Sequence, residues 1–133
     1  MAMPPSQPPP DSRPRRLLLV EDDQMVARAL SRLLRYEGFD VQVLHDSREA
    51  MKLFQGMECP CEFLVTDLNL PWASGLDLVR EMRQQWPQLP VVVFAGAPTV
   101  QDRQELMDLG VKAVLQKPAS AGDIMRALQR NEK

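Results

Sequence analysis

Leu17-Leu18-Leu19-Val20-Glu21-Asp22-Asp23 places four consecutive apolar residues directly before three acids. A strand with one wet face alternates apolar and polar side chains. A continuous run suits a strand covered on both faces, as in a parallel sheet flanked by helices. The abrupt change to carboxylates marks where such a strand leaves the core. The same grammar recurs downstream: Phe63–Thr66 runs into Asp67, and Val91–Phe94 runs into Ala95 and Gly96. Val41–Leu44 and Ala113–Leu115 are shorter strand candidates, the latter followed by Gln116, Lys117 and Pro118.

Between these runs lie amphipathic stretches. Val26, Leu30, Leu33 and Leu34 recur at helical spacing and close at Gly38, a natural position beyond a helix C-terminus. Asp46-Ser-Arg-Glu49 has the form of a capping box ahead of Ala50, Leu53 and Phe54. Leu76, Val79 and Met82 define a third helix stopped by Pro87. Thr99–Asp102 opens a fourth that closes at Gly110, and Ser120–Asp123 opens a fifth carrying Ile124 and Leu128. Five strands alternating with five helices predict an α/β fold, a doubly wound five-stranded parallel sheet with right-handed crossovers. In such sheets the functional site lies beyond the carboxyl ends of the strands.

Composition bounds the function. At 133 residues, 44% hydrophobic and 26% charged, the chain carries enough apolar surface for one core and is no disordered polypeptide. It has no 18-residue apolar run to span a membrane and no apolar leader, so the cytoplasm is the default compartment. Sixteen basic residues against 18 acidic give a net charge of −2, unsuited to direct nucleic-acid binding. Six of the 12 prolines fall within residues 1–15, which read as a flexible tail or linker ahead of a domain spanning 16–133.

The strand ends bring Glu21, Asp22, Asp23 and Asp67 onto one rim together with Lys117. Carboxylates this close need a counter-charge. A hard divalent cation supplies it, and Mg2+ fits best, because it takes a few carboxylates and leaves room for a phosphate oxygen. A phosphoryl group arriving there would meet both metal and lysine, with a carboxylate available as nucleophile. Asp23, nearest the first helix, reads instead as a helix-capping residue.

Residues 16–130 resemble the response-regulator receiver domains of two-component signalling, chemotaxis-regulator-like. The resemblance rests on LLLVEDD (17–23), LVTDLNLPWASGLDLV (64–79), LPVVVFAG (89–96) and LQKP (115–118) in their order and spacing. It implies a flavodoxin-like (βα)5 fold with strand order 2-1-3-4-5. It also implies that Asp67 accepts a phosphoryl group from a histidine kinase or histidine phosphotransfer protein. By the same resemblance Asp22 binds Mg2+ directly, Glu21 directly or through water, and the backbone carbonyl of Asn69 completes the protein ligands. Lys117 would pair with phosphoryl oxygens, followed by a cis bond to Pro118. Such a domain is not an enzyme in isolation. It would act as a monomer or weak dimer, as a single-domain regulator or the C-terminal receiver of a hybrid histidine kinase.

The sequence departs from the family at the switch positions. Ala95 stands where a Ser or Thr hydroxyl usually meets the phosphoryl group, and Val114 where a Tyr or Phe usually turns. Smaller departures are Ser74 before Gly75, and Ala119 where Phe is frequent. Atypical switching follows, with a receiver-like interaction module that is rarely phosphorylated as the alternative. An aspartate-dependent phosphatase would need an acid two residues after Asp67, where Asn69 stands. A flavodoxin-type carrier would meet repulsion from Glu21–Asp23. Cys59 and Cys61 are too few for a metal site; Cys61 reads as a buried thiol and Cys59 as a loop residue. His45 reads as a loop residue, Trp86 as partly buried, and the eight methionines as core filler. Trp72, just past Pro71, could shield the site, contact a partner or pack over its loop.

Overall fold

In a computed structural model, which describes residues 15–129, the chain forms β1 (Arg15–Val20), α1 (Gln24–Tyr36), β2 (Phe39–Leu44), α2 (Ser47–Phe54) and β3 (Phe63–Asp67). It continues with α3 (Gly75–Arg83), β4 (Val91–Ala95), α4 (Val100–Asp108), β5 (Ala113–Gln116) and α5 (Ala121–Leu128). The strands form one parallel sheet in the order β2-β1-β3-β4-β5. This is the doubly wound, flavodoxin-like architecture expected from the sequence. The proline-rich segment 1–15 lies outside the described residues except for Arg15, which opens β1.

Strand pleating divides β1 between two cores. Leu18 and Val20 join Phe54, Leu64, Leu78, Val79, Met82, Val91, Val93 and Leu106 under α2, α3 and α4. Leu17 and Leu19 join Leu30, Leu34, Val65, Val92, Phe94, Ile124 and Leu128 under α1 and α5. The unbroken apolar runs of β1, β3 and β4 therefore feed both layers in alternation.

Local signals set the helix ends. Asp23 caps α1 by accepting from the Met25 and Val26 amides, as expected of the acid nearest that helix. Ser74/Asp77, Thr99/Asp102 and Ser120/Asp123 form reciprocal capping boxes on α3, α4 and α5. Asp46 caps α2 differently: its carboxylate accepts from the amide and guanidinium of Arg48. Gly38 and Gly110 take the left-handed turns after α1 and α4, at φ 102° and 79°.

Besides the capping box expected at Asp46–Glu49, which does not form, two expectations need correction. β2 begins at Phe39, two residues earlier than the apolar pattern suggests, because Arg15 and Arg16 pair with Phe39 and Asp40 through the backbone. The methionines are not uniformly core filler. Met82 is buried, but Met25 and Met57 are 82% and 97% exposed, the first on α1 and the second in the loop after α2. Cys61 is buried and Cys59 half-buried, both free thiols. Burial pushes the Cys61 thiol up to about 12. Trp86 is half-buried and donates its indole N–H to the Phe54 carbonyl.

Candidate functional site

β1, β3 and β5 end side by side with β4 between the last two, so their carboxyl ends form one rim. Glu21 is fully buried, its amide bonded to the Leu44 carbonyl of β2 at 2.9 Å. One carboxylate oxygen accepts the Asp23 amide at 2.9 Å. The other accepts the Lys117 ammonium at 3.2 Å. Asp67, also buried, accepts Lys117 at 2.8 Å through Oδ2 and the Asn69 amide at 3.2 Å through Oδ1. Lys117 therefore bridges two carboxylates from different strands. Its Nζ also lies 5.1 Å from the centre of the Phe94 ring. Its peptide bond to Pro118 is cis, as the resemblance implied.

Asp22 completes the cluster from the solvent side. Carboxylate oxygens of Glu21, Asp22 and Asp67 lie within 4.8 Å of one another, a hard oxygen donor set of the kind a small divalent cation takes. Asp22 is exposed and makes no hydrogen bond or ion pair among the described residues. Asp23, by contrast, is occupied in capping α1.

The charges are mutually perturbed. Burial raises the Glu21 carboxyl above the ordinary carboxylate range, and the Asp67 charge adds to this. The Asp23 amide and Lys117 oppose the rise without cancelling it. Burial alone would lower the Lys117 ammonium. Its hydrogen bond and charge interaction with Asp67, then with Glu21, outweigh that and hold it above its ordinary value.

The loop from Asp67 to α3 is tied at both ends. The Leu68 amide bonds the Phe94 carbonyl at 2.8 Å, and the Gly75 amide bonds the Leu68 carbonyl at 2.7 Å. A side chain at Gly75 would collide with the Asp67 carbonyl oxygen, so the close return of the chain requires glycine there. Trp72 stands at the loop's tip, 63% exposed, with the Arg48 guanidinium 5.7 Å from its ring centre.

Ala95 is fully buried at the end of β4, and Val114 is half-buried on edge strand β5. Neither side chain carries a hydroxyl or a ring. Ala119 lines an apolar recess of about 350 Å³ with Val26, Leu30, Phe94, Lys117 and Pro118. Two residues at the site escape sequence reasoning. His45 sits against the rim with Nδ1 2.8 Å from the Glu21 carbonyl oxygen. Ser47 is buried and bonds the tip of the Asp67 loop. Nothing in their local sequence marks either role, because both partners are 24 or more residues away.

Strand order 2-1-3-4-5 with acids closing β1 and β3 and a lysine after β5 defines a flavodoxin-like, CheY-like fold. Residues 17–129 match the family model for the response regulator receiver domain, and the chain belongs to that family. It is 33% identical over 121 residues to the response regulator MprA of Mycobacterium ulcerans, covering 89% of this chain and 51% of that protein. The MprA protein of Mycobacterium tuberculosis strain H37Rv matches equally, over 52% of its length. The chain thus spans about half the length of these curated relatives. A Burkholderia pseudomallei response regulator, solved with a phosphorylated aspartic acid, calcium ion and citrate, superposes with a TM-score of 0.78 at 32% identity. That match covers 88% of this chain and 68% of the other. The chemotaxis regulator CheY4 of Vibrio cholerae shares the fold, with a TM-score of 0.77 at 24% identity over 88% of this chain and 98% of the other. The chain is a receiver domain of two-component signalling. Among the described residues no helix is long and apolar enough to cross a membrane.

Proposed function

We propose that this receiver takes a phosphoryl group from a histidine kinase or histidine phosphotransfer protein onto Asp67. The observation that carries this is the Lys117 ammonium bridging Glu21 and Asp67 at 3.2 and 2.8 Å. Asp67 presents a carboxylate oxygen to the incoming phosphorus. The O–P bond forms as the donor's P–N bond breaks, its electron pair returning to the imidazole. Lys117 then meets the phosphoryl oxygens, and the product is an acyl phosphate.

Asp22, Asp67 and Glu21, with the backbone carbonyl of Asn69, are the groups that would hold Mg2+. The bound ion would neutralise charge developing on the phosphoryl oxygens. Asp22 supports this assignment, being uncommitted within the described residues while Asp23 caps a helix. The phosphorylated aspartic acid and calcium ion of the Burkholderia relative support the same chemistry.

The domain switches atypically. The Ala95 methyl can donate no hydrogen bond to a phosphoryl oxygen, and Val114 has no ring to turn inward. Trp72 is a partner contact, since its ring is exposed at the tip of the acceptor loop. Incubation with magnesium and phosphoramidate, followed by intact mass, tests the acceptor. Wild type should gain one acid-labile phosphate and Asp67→Asn none; equal uptake by the variant would move the acceptor elsewhere.

A further inference from the structure

The tip of the Asp67 loop holds a backbone conformation that its sequence disfavours. Trp72 has φ 77°, and among the described residues no other non-glycine residue has positive φ. The Ala73 amide bonds the Pro71 carbonyl at 3.0 Å across it. That bond and that φ make Trp72 the centre of a γ-turn of the rare, strained hand. A large L-residue is an outlier there, and such conformations persist only where their surroundings over-determine them.

The surroundings are the first turn of α2. The Ser47 hydroxyl, fully buried, donates to the Pro71 carbonyl at 3.0 Å and accepts from the Ala73 amide at 3.1 Å. It grips both sides of the γ-turn at once. Its neighbour Arg48 lies over the Trp72 ring and is itself tethered to Asp46 at 3.1 Å. Apart from Ser47 and the acceptor Asp67 itself, no side chain from outside residues 69–73 bonds their backbone among the described residues. The same stretch contains Asn69, whose amide bonds Asp67 and whose carbonyl is among the groups proposed to hold Mg2+.

We propose that Ser47 is a positioning residue of the phosphoacceptor site: its hydroxyl holds the strained turn at Trp72 and so fixes the loop that carries Asn69. The proposal rests on the assignment of Asp67 and its loop as the phosphoryl site. It makes a specific demand on Trp72. Glycine adopts φ 77° without strain, so a turn built on glycine has less need of the clamp. Ser47 and residue 72 should therefore be energetically coupled although their side chains do not bond each other.

The test uses wild type, Ser47→Ala, Trp72→Gly and the double variant. Magnesium is titrated against the Asn69 amide shift, exchange of the Ala73 amide is followed, and thermal unfolding checks the fold. Ser47→Ala should weaken magnesium binding about fivefold and speed Ala73 exchange. In the Trp72→Gly background the same substitution should cost less than twofold in magnesium affinity. Ser47→Cys, keeping a small side chain with a weaker donor, should fall between wild type and Ser47→Ala; this arm serves if Ser47→Ala is poorly folded. Unchanged magnesium affinity in Ser47→Ala, or an equal loss in both backgrounds, would overturn the proposal. Failure of wild type to bind magnesium and take up phosphate would instead sink the site assignment.

Discussion

Replacing Lys117 by Met keeps most of the apolar stem and removes the charge that bridges Glu21 and Asp67. At 2.8 and 3.2 Å, with an effective dielectric of about 20, the gross attractions are ~6 and ~5 kcal/mol, much of it offset by desolvation. Removing one partner of a buried pair costs roughly 3–5 kcal/mol. The Lys117 side chain keeps 29% exposure, so about 2–3 kcal/mol is the appropriate net loss. For a domain of this size that lowers Tm by roughly 8–12 °C. The loss should depend on pH. The folded Glu21 carboxyl already sits above its ordinary 4.5, so it binds its proton more tightly folded than unfolded. Its contribution is full below 4.5 and is lost as pH rises through the raised value. Without Lys117 that value climbs further, and acidification from pH 7 toward 4.5 should close part of the gap to wild type. Calorimetry without magnesium, at several pH values, measures this. A Glu21→Gln/Lys117→Met double variant should recover stability relative to Lys117→Met alone. A variant as stable as wild type, or a gap constant from pH 7 to 4.5, would refute the role of Lys117 as the cluster's counter-charge.

Asp22→Ala should weaken magnesium binding, measured calorimetrically, at least tenfold more than Asp23→Ala. Asp23→Ala should instead cost about 1 kcal/mol of stability through the lost α1 cap. Similar magnesium losses in both would mean the two carboxylates' roles are misassigned. Ala95→Thr supplies a hydroxyl whose charge-assisted bond to phosphate is worth roughly 1.5–3 kcal/mol. Beryllium fluoride should therefore move the amide shifts of residues 95–115 more in Ala95→Thr than in wild type; a large wild-type response would show a switching route independent of that hydroxyl. In the native protein at pH 8, iodoacetamide should spare Cys61, whose pKa is pushed up to about 12, and modify half-buried Cys59 first. Peptide mapping that found Cys61 alkylated first would contradict its burial.

Much of the fold is legible in β1. A strand covered on both faces must be apolar at every position, and it must stop being so where it leaves the core. Leu17–Val20 followed by Glu21–Asp23 therefore encodes both the strand and its exit. The matching exits at Asp67 and Lys117 meet Glu21 and Asp22 because parallel strands share a direction and put their carboxyl ends on one rim. Helix starts are legible for a similar reason: a capping box is a contact within four residues, so Thr99–Asp102 and Ser120–Asp123 announce themselves. Contacts across the fold carry no such local mark. Arg15 and Arg16 enter β1 because Phe39 and Asp40 offer them backbone partners, which side-chain periodicity cannot register. The ring of His45 meets the Glu21 carbonyl, and the Ser47 hydroxyl meets Pro71 and Ala73, only once β2 and β3 flank β1 and bring α2 beside the acceptor loop. The positive φ of Trp72 runs against residue preference, so sequence alone argues for the wrong conformation there. The amino-acid order thus determined the strands, the rim and the charges on it, through local pattern and strand direction. Tertiary packing decided which buried polar groups hold the acceptor loop in place, because those bonds join residues that only the folded sheet makes neighbours.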